Sequence, residues 1–170
     1  SYHGRLAGFI EQNEDTLSAK RARAELASVE ASAQDFVDEM VELAAVGDHY
    51  TRYERIKEAK RGLAGIPAFD EANRLWVDQA KHPAVRDSIA DGKAYAAIFE
   101  DVAEADEQLE KDLARSERTK SPSKRKKAEE KARASHEKKL AGLEARLEKI
   151  SDRSPGTYYG EAALRSRQSY

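Results

Sequence analysis

The sequence predicts an all-α fold: paired helices in a bundle-like arrangement, with a long antiparallel helical hairpin over about residues 85–150. Three observations lead there. Apolar residues in the long charged stretches recur at alternating intervals of three and four, the period of an amphipathic helix. No run of β-branched residues is bounded by turns on both sides, as a strand would require. Charged residues make up 36% and aromatics 7% of the 170 residues, a composition suited to exposed helices.

Residues 1–15 show no clear periodicity, although Leu6, Phe9 and Ile10 are available to pack on the helix after them. From Thr16, a good N-cap, the residues Ala22, Leu26, Val29, Ala33, Phe36, Met40 and Leu43 form one stripe. Gly47 is placed to end that helix. Asp48 can cap a second helix to about Arg61, with Tyr50, Tyr53 and Ile56 on one side and Gly62 as its stop. The run Gly62-Leu-Ala-Gly-Ile-Pro67 reads as a turn or hinge whose Leu63 and Ile66 plug the space between neighbours. Asp70 is the expected cap of a third helix, to Lys81, which contains Leu75, Val77 and the only tryptophan, Trp76. Pro83 suits the first turn of the next helix, where its missing N–H costs little.

The hairpin's first arm carries Val85, Ile89, Tyr95, Phe99, Val102, Leu109 and Leu113, interrupted mildly by Gly92. Its second arm carries Ala132, His136, Leu140, Leu143, Leu147 and Ile150. Charge predicts that these arms pair with each other. Residues 100–112 hold seven acids against one base, a difference of −6, and residues 124–139 hold eight bases against three acids, a difference of +5. A reversal at Ser121-Pro122-Ser123 sets the acidic end of one arm beside the basic end of the other. Exposed pairs contribute only about 0–1 kcal/mol each, so charge selects the partner and the apolar stripes supply most of the stability. Ser154-Pro155-Gly156-Thr157 then breaks the helix and starts a last one near Tyr158. The expected organisation is a single all-helical domain: helix pair 1–61, hinge and short helix 62–83, hairpin 84–150, C-terminal turn and helix 151–170.

A net charge of −2 argues against a dedicated nucleic-acid binder. Without cysteine, the chain has no disulfide, thiolate metal site or thiol nucleophile. No apolar run approaches the roughly 20 residues that span a bilayer. The opening Ser1-Tyr2-His3-Gly4, without methionine, reads as a processed protein or a piece of a longer one.

No catalytic signature is present. The four histidines, His3, His49, His82 and His136, are never closer than 33 residues, which excludes the local two-histidine zinc motifs. The residues three before the last three of them, Val46, Gln79 and Arg133, are not the glutamates that a helical di-iron site needs. No metal, cofactor or catalytic residue is therefore assigned. His136, on the second stripe, reads as an imidazole at the core edge bonded to an acid or backbone group rather than as a ligand or pH switch. Asp78 and His82 read as a surface pair. Neither a nucleophile elbow nor a phosphate-cradling glycine loop occurs. The basic corner Lys124, Arg125, Lys126 and Lys127 could meet phosphates or lipid headgroups. It lacks aromatics for base stacking, and the acidic arm already offers it a partner, so nucleic acid and membrane are both disfavoured.

Two stretches resemble tetratricopeptide-type helical repeats. One is Leu43-Ala-Ala-Val-Gly47-Asp-His-Tyr50 with Ala59. The other is Leu143-Glu-Ala-Arg-Leu147-Glu-Lys-Ile150 followed by Ser154-Pro-Gly-Thr-Tyr-Tyr-Gly-Glu-Ala-Ala163, which is similar to helix boundaries in repeat proteins of the bacterial envelope. The likeness covers about 50 residues in degenerate form and no fixed period recurs. The layout also resembles helical extensions that follow another domain, thioredoxin-like ones included, which would put any chemistry outside these residues. The repeat resemblance implies a scaffold that holds partners and favours the bacterial periplasm or envelope over the cytoplasm. Tyr50, Tyr53, Trp76, Tyr158 and Tyr159 are the expected groove residues for a partner protein or peptide; Tyr170 belongs to the same C-terminal aromatic group. The expected function is a non-enzymatic adaptor. The alternatives are a basic-tipped coiled coil acting on nucleic acid or an anionic membrane, and an accessory tail of a larger enzyme. Self-association of the stripes into a homo-oligomer is also open.

Overall fold

Helices start in this chain where a short polar side chain or a proline can stand at the end of the hydrogen-bond ladder. The computed structural model describes residues 2–168, and among them seven helices and no strand occur. They are α1 (Tyr2–Gln12), α2 (Leu17–Ala45), α3 (His49–Leu63), α4 (Pro67–Gln79), α5 (Pro83–Glu117), α6 (Pro122–Arg153) and α7 (Tyr158–Arg167). Thr16, Asp48 and Thr157 accept from the backbone N–H of Ala19, Thr51 and Gly160 at 3.0, 3.0 and 3.1 Å. Each such cap is worth about 1 kcal/mol. Pro67, Pro83 and Pro122 open α4, α5 and α6. Stops after α2, α3 and α6 use Gly47, Gly65 and Gly156, with φ of 81°, 87° and 73°, a region that other residues enter only at a cost.

Four boundaries differ from the expected ones. Residues 2–12 are helical although they have no strong periodicity; α1 folds back on α2, with Tyr2 bonded to Glu25 and His3 3.0 Å from Glu30. Leu6 and Ile10 are half-buried there and Phe9 is exposed. Gly62 does not stop α3, which continues to Leu63; the left-handed turn is made by Gly65. Asp70 does not cap α4. It lies in the first turn of a helix begun by Pro67, and both its oxygens accept from the Gly65 N–H at 3.1 Å. Gly92 leaves α5 unbroken and is itself buried.

The chain divides into two compact units, Ser1–Ile89 and Ala90–Tyr170, with the division inside α5. In the first unit every residue of the expected α2 stripe is buried or half-buried. Ala33, Ile66 and Phe69 form one core cluster with Val29, Phe36, Ala59 and Leu63 around it, so Leu63 and Ile66 do fill the space between α2, α3 and α4. Met40, Ile56 and Trp76 form a second, flanked by Phe36, Leu43, Ala80, Val85 and Ile89.

In the second unit α5 and α6 form the antiparallel hairpin. Cross-links run Asp91 to Arg153, Asp101 to Arg146, Asp106 to His136 and Ser116 to Glu129, descending on α6 as they climb α5. The buried line on α5 passes through Ile98 and Ala105, not through Phe99, which is 40% exposed. Full burial of Ile98 and Leu147 contributes about 1.5–3 kcal/mol each. α7 is fastened by Arg167 to Glu148 at 2.8 Å and by the Tyr95 hydroxyl to Ser166 at 2.9 Å.

Candidate functional site

The seam between α5 and α6 is where the second unit leaves apolar surface open. Apolar residues at helical spacing on α5 (Ile98, Phe99, Val102) face Leu140, Ala141, Leu143 and Leu147 on α6 across a groove of about 270 Å³. Ile98 and Leu147 make its floor. The Phe99 ring stands at the mouth, edge-on to Tyr95 with centroids 4.9 Å apart. Two carboxylates of α6, Glu137 and Glu144, line the rim, and neither forms an ion pair with another described residue. An apolar trough edged by free carboxylates suits an apolar ridge flanked by cations.

Farther along the seam His136 Nε2 lies 2.7 Å from Asp106 Oδ1 with its ring mostly covered, the core-edge imidazole that its place on the stripe predicts. Beyond it the side chains that α6 presents along the seam shrink to the half-buried Ala132 and the exposed Ala128. A space of about 350 Å³ bordered mostly by polar and charged residues opens there between the end of α5 and the start of α6. Lys124, Arg125, Lys126 and Lys127 do not form an irregular corner: they occupy the first turns of α6 and all four are exposed. Arg125 donates to the Thr119 carbonyl at 3.2 Å, and Lys126 reaches only Glu130, at 4.0 Å.

The five expected groove aromatics are divided between the two units. Tyr50, Tyr53 and Trp76 belong to the first unit, Tyr158 and Tyr159 to the second. Trp76 and Tyr159 are 3% and 4% exposed, which makes them core residues rather than groove walls. Tyr53 and Tyr158 are each 39% exposed and Tyr50 is half-buried. Tyr170 lies outside the described residues.

Trp76 instead organises a polar cluster inside the first unit. The Arg52 guanidinium sits over its ring, 4.1 Å from the centroid, and donates from Nη1 to Gln79 Oε1 at 2.9 Å. His49 stacks on the same indole with centroids 6.2 Å apart. Desolvation holds both Arg52 and His49 below their ordinary pKa, and the Arg52 charge pushes His49 down further. Arg52 Nε and His49 Nδ1 are buried without a hydrogen-bond partner among the described residues. Asp78 pairs with Lys81 at 2.7 Å rather than with His82, because α4 ends at Gln79 and His82 falls in the following turn.

Ile98 and Arg52 are the residues that sequence reasoning passed over. Ile98 was within reach: Tyr95, Ile98, Val102, Ala105 and Leu109 keep the three-four alternation better than a stripe routed through Phe99. Arg52 carried no such signal, since an arginine four residues from Asp48 reads as a surface pair. Among the described residues no group of three or more His, Asp or Glu side chains is placed to hold a metal, and no helix is long and apolar enough to cross a membrane. Comparison with protein-family models, curated proteins and solved structures finds no match.

Proposed function

We propose that this protein is a non-enzymatic helical adaptor that holds an amphipathic helix of another protein in the α5–α6 groove. The observation that supports it is the pairing of a 270 Å³ apolar trough with unneutralised Glu137 and Glu144 on its rim. Burying the partner's apolar stripe supplies affinity at roughly 25 cal/mol per Å², and the rim carboxylates select a stripe flanked by lysine or arginine. The tetratricopeptide-type likeness of residues 43–59 and 143–163 points the same way, because such repeats hold partners. In this chain the first likeness is divided between α2 and α3, with Gly47 in the turn between them.

The test uses synthetic amphipathic helical peptides of one leucine stripe, flanked either by lysine or by glutamate, titrated by fluorescence anisotropy. The lysine-flanked peptide binds more tightly, and Phe99→Glu with Leu140→Glu removes binding while circular dichroism stays helical. Equal affinity for both peptides, or indifference to the double substitution, refutes the reading. A second reading, contact with nucleic acid or an anionic membrane, is favoured by the exposure of Lys124, Arg125, Lys126 and Lys127. Such binding falls steeply with salt, whereas groove binding changes little.

A further inference from the structure

The hairpin tip is built differently from the rest of the seam. Where Leu140, Leu143 and Leu147 line the seam nearer its base, α6 presents Ala128 and Ala132 at the tip, and the space left between the helices there is about 350 Å³. Most of the residues around it are polar or charged, although aliphatic carbons of the same side chains and of the two alanines also face it. Arg115 on α5 and Lys131 on α6 are among the residues that line it, with hydroxyls from Ser116, Thr119 and Ser135. Asp112 is the single lining carboxylate and stands 3.7 Å from Arg115, longer than the roughly 2.7–2.9 Å of a charge-assisted hydrogen bond. Lys131 forms no ion pair with a described residue.

We propose that this slot binds a small compound carrying two or more phosphate groups. Cations on both walls offer charge to two separated phosphates, and the Thr119 and Ser135 hydroxyls can donate to the remaining oxygens, whereas the Ser116 hydroxyl already donates to the Leu113 carbonyl at 2.7 Å. The surrounding field has the right sign: residues 115–133 hold nine bases against three acids, a difference of +6. Recognition rests on phosphate alone, because no Phe, Tyr or Trp occurs between Phe99 and Tyr158 and nothing at the tip can stack on a base. This inference is independent of the apolar groove, which lies farther down the hairpin.

Inorganic pyrophosphate, titrated calorimetrically into the whole chain at about 0.15 M salt, tests it, since charges more than roughly 8 Å away are then largely screened. Removing both slot cations, Arg115→Ala with Lys131→Ala, weakens binding by at least about tenfold. Removing two charges far down the hairpin, Lys93→Ala on α5 with Lys149→Ala on α6, weakens it by less than about threefold. Absence of pyrophosphate binding overturns the proposal, and so does an equal loss from the two double variants. Co-sedimentation with phosphatidylglycerol vesicles separates the other source of phosphate. Vesicle binding that depends on Lys126 and Lys127 but not on Arg115 and Lys131, and that pyrophosphate does not displace, assigns the charge to a membrane surface and likewise overturns it.

Discussion

Gly160, in the first turn of α7, is the position where one added methyl group does most damage. A Cβ built there meets the backbone carbonyl of Ser154 far inside contact distance of its oxygen and at 2.8 Å from its carbon, with Thr157 Oγ1 at 3.2 Å. A carbonyl in a turn cannot rotate away as a side-chain tip would. Gly160→Ala therefore has to lift α7 from the turn that begins it, loosening the cap from Thr157 to the Gly160 N–H. Alanine gains about 1 kcal/mol over glycine in helix propensity, but overpacking of this kind costs about 1–3 kcal/mol or more, and loss of the cap adds about 1 kcal/mol. The expected net destabilisation is about 2 kcal/mol, from the difference of those contributions. Gly142, in the middle of α6 of the same unit, has no neighbouring atom within 4 Å of an added Cβ. There the propensity gain stands alone, so Gly142→Ala stabilises by about 0.5–1 kcal/mol. Urea denaturation monitored by circular dichroism measures both. A Gly160→Ala protein as stable as the parent, or substitutions shifting stability in the same direction, would refute the close approach of α7 to residue 154.

Three further outcomes concern other buried groups. His49 is held below its ordinary value of 6.5, so the unfolded chain takes up the proton first as pH falls. Its contribution to stability is full above about pH 6.5 and is lost as the pH drops below it toward the folded value; denaturation at several pH values tests this, and His49→Gln flattening none of the acid-side decline would contradict it. Trp76→Ala costs about 3–5 kcal/mol by cavity formation, and Trp76→Phe costs less because a ring remains under Arg52; equal urea midpoints for the two variants would remove Trp76 from the core. Arg153 is 62% exposed while its partner Asp91 is 4% exposed, so Arg153→Ala, which leaves the buried carboxylate with the Ser154 hydroxyl but no countercharge, destabilises by about 2 kcal/mol and Asp91→Ala by about 1 kcal/mol. The reverse order in thermal or urea unfolding would show that Asp91 does not depend on this guanidinium.

The residues that made the fold legible are those whose effect is local. Thr16, Asp48, Gly47, Pro83 and Pro122 act within a turn of where they stand, and they bound helices in the structure as their chemistry predicts. The α2 stripe could be read because one face meets one core along most of the helix. Where two candidates compete at short range, tertiary packing decides. Gly62 and Gly65 are equally able to end α3, and the chain stops at the second because Leu63 is needed beside Ile66 and Phe69. Asp70 is a sound cap in isolation, but Pro67 starts the helix one turn earlier and leaves Asp70 to receive the Gly65 N–H. The aromatic residues are hard to place for a different reason. Aromatic residues mark interfaces and cores alike, and sequence proximity cannot distinguish Trp76 beneath Arg52 from Tyr53 in solvent.

Charge shows the same division between segment and side chain. Opposed totals on residues 100–112 and 124–139 correctly pair α5 with α6, yet the acid–base contacts that cross the seam among the described residues are Asp91–Arg153, Asp101–Arg146 and Asp106–His136. Only His136 among those basic partners lies in the basic segment. Net charge sets which stretches attract each other through a field averaged over many angstroms, whereas an ion pair requires two side chains on facing surfaces. At the tip the facing positions are taken by Ser116, Ala128 and Ala132, so Lys124, Lys126 and Lys127 project into solvent. The basicity that the segment totals assign to an internal clasp is thus left largely at the surface, beside the open slot at the tip where the proposed phosphate compound would meet it.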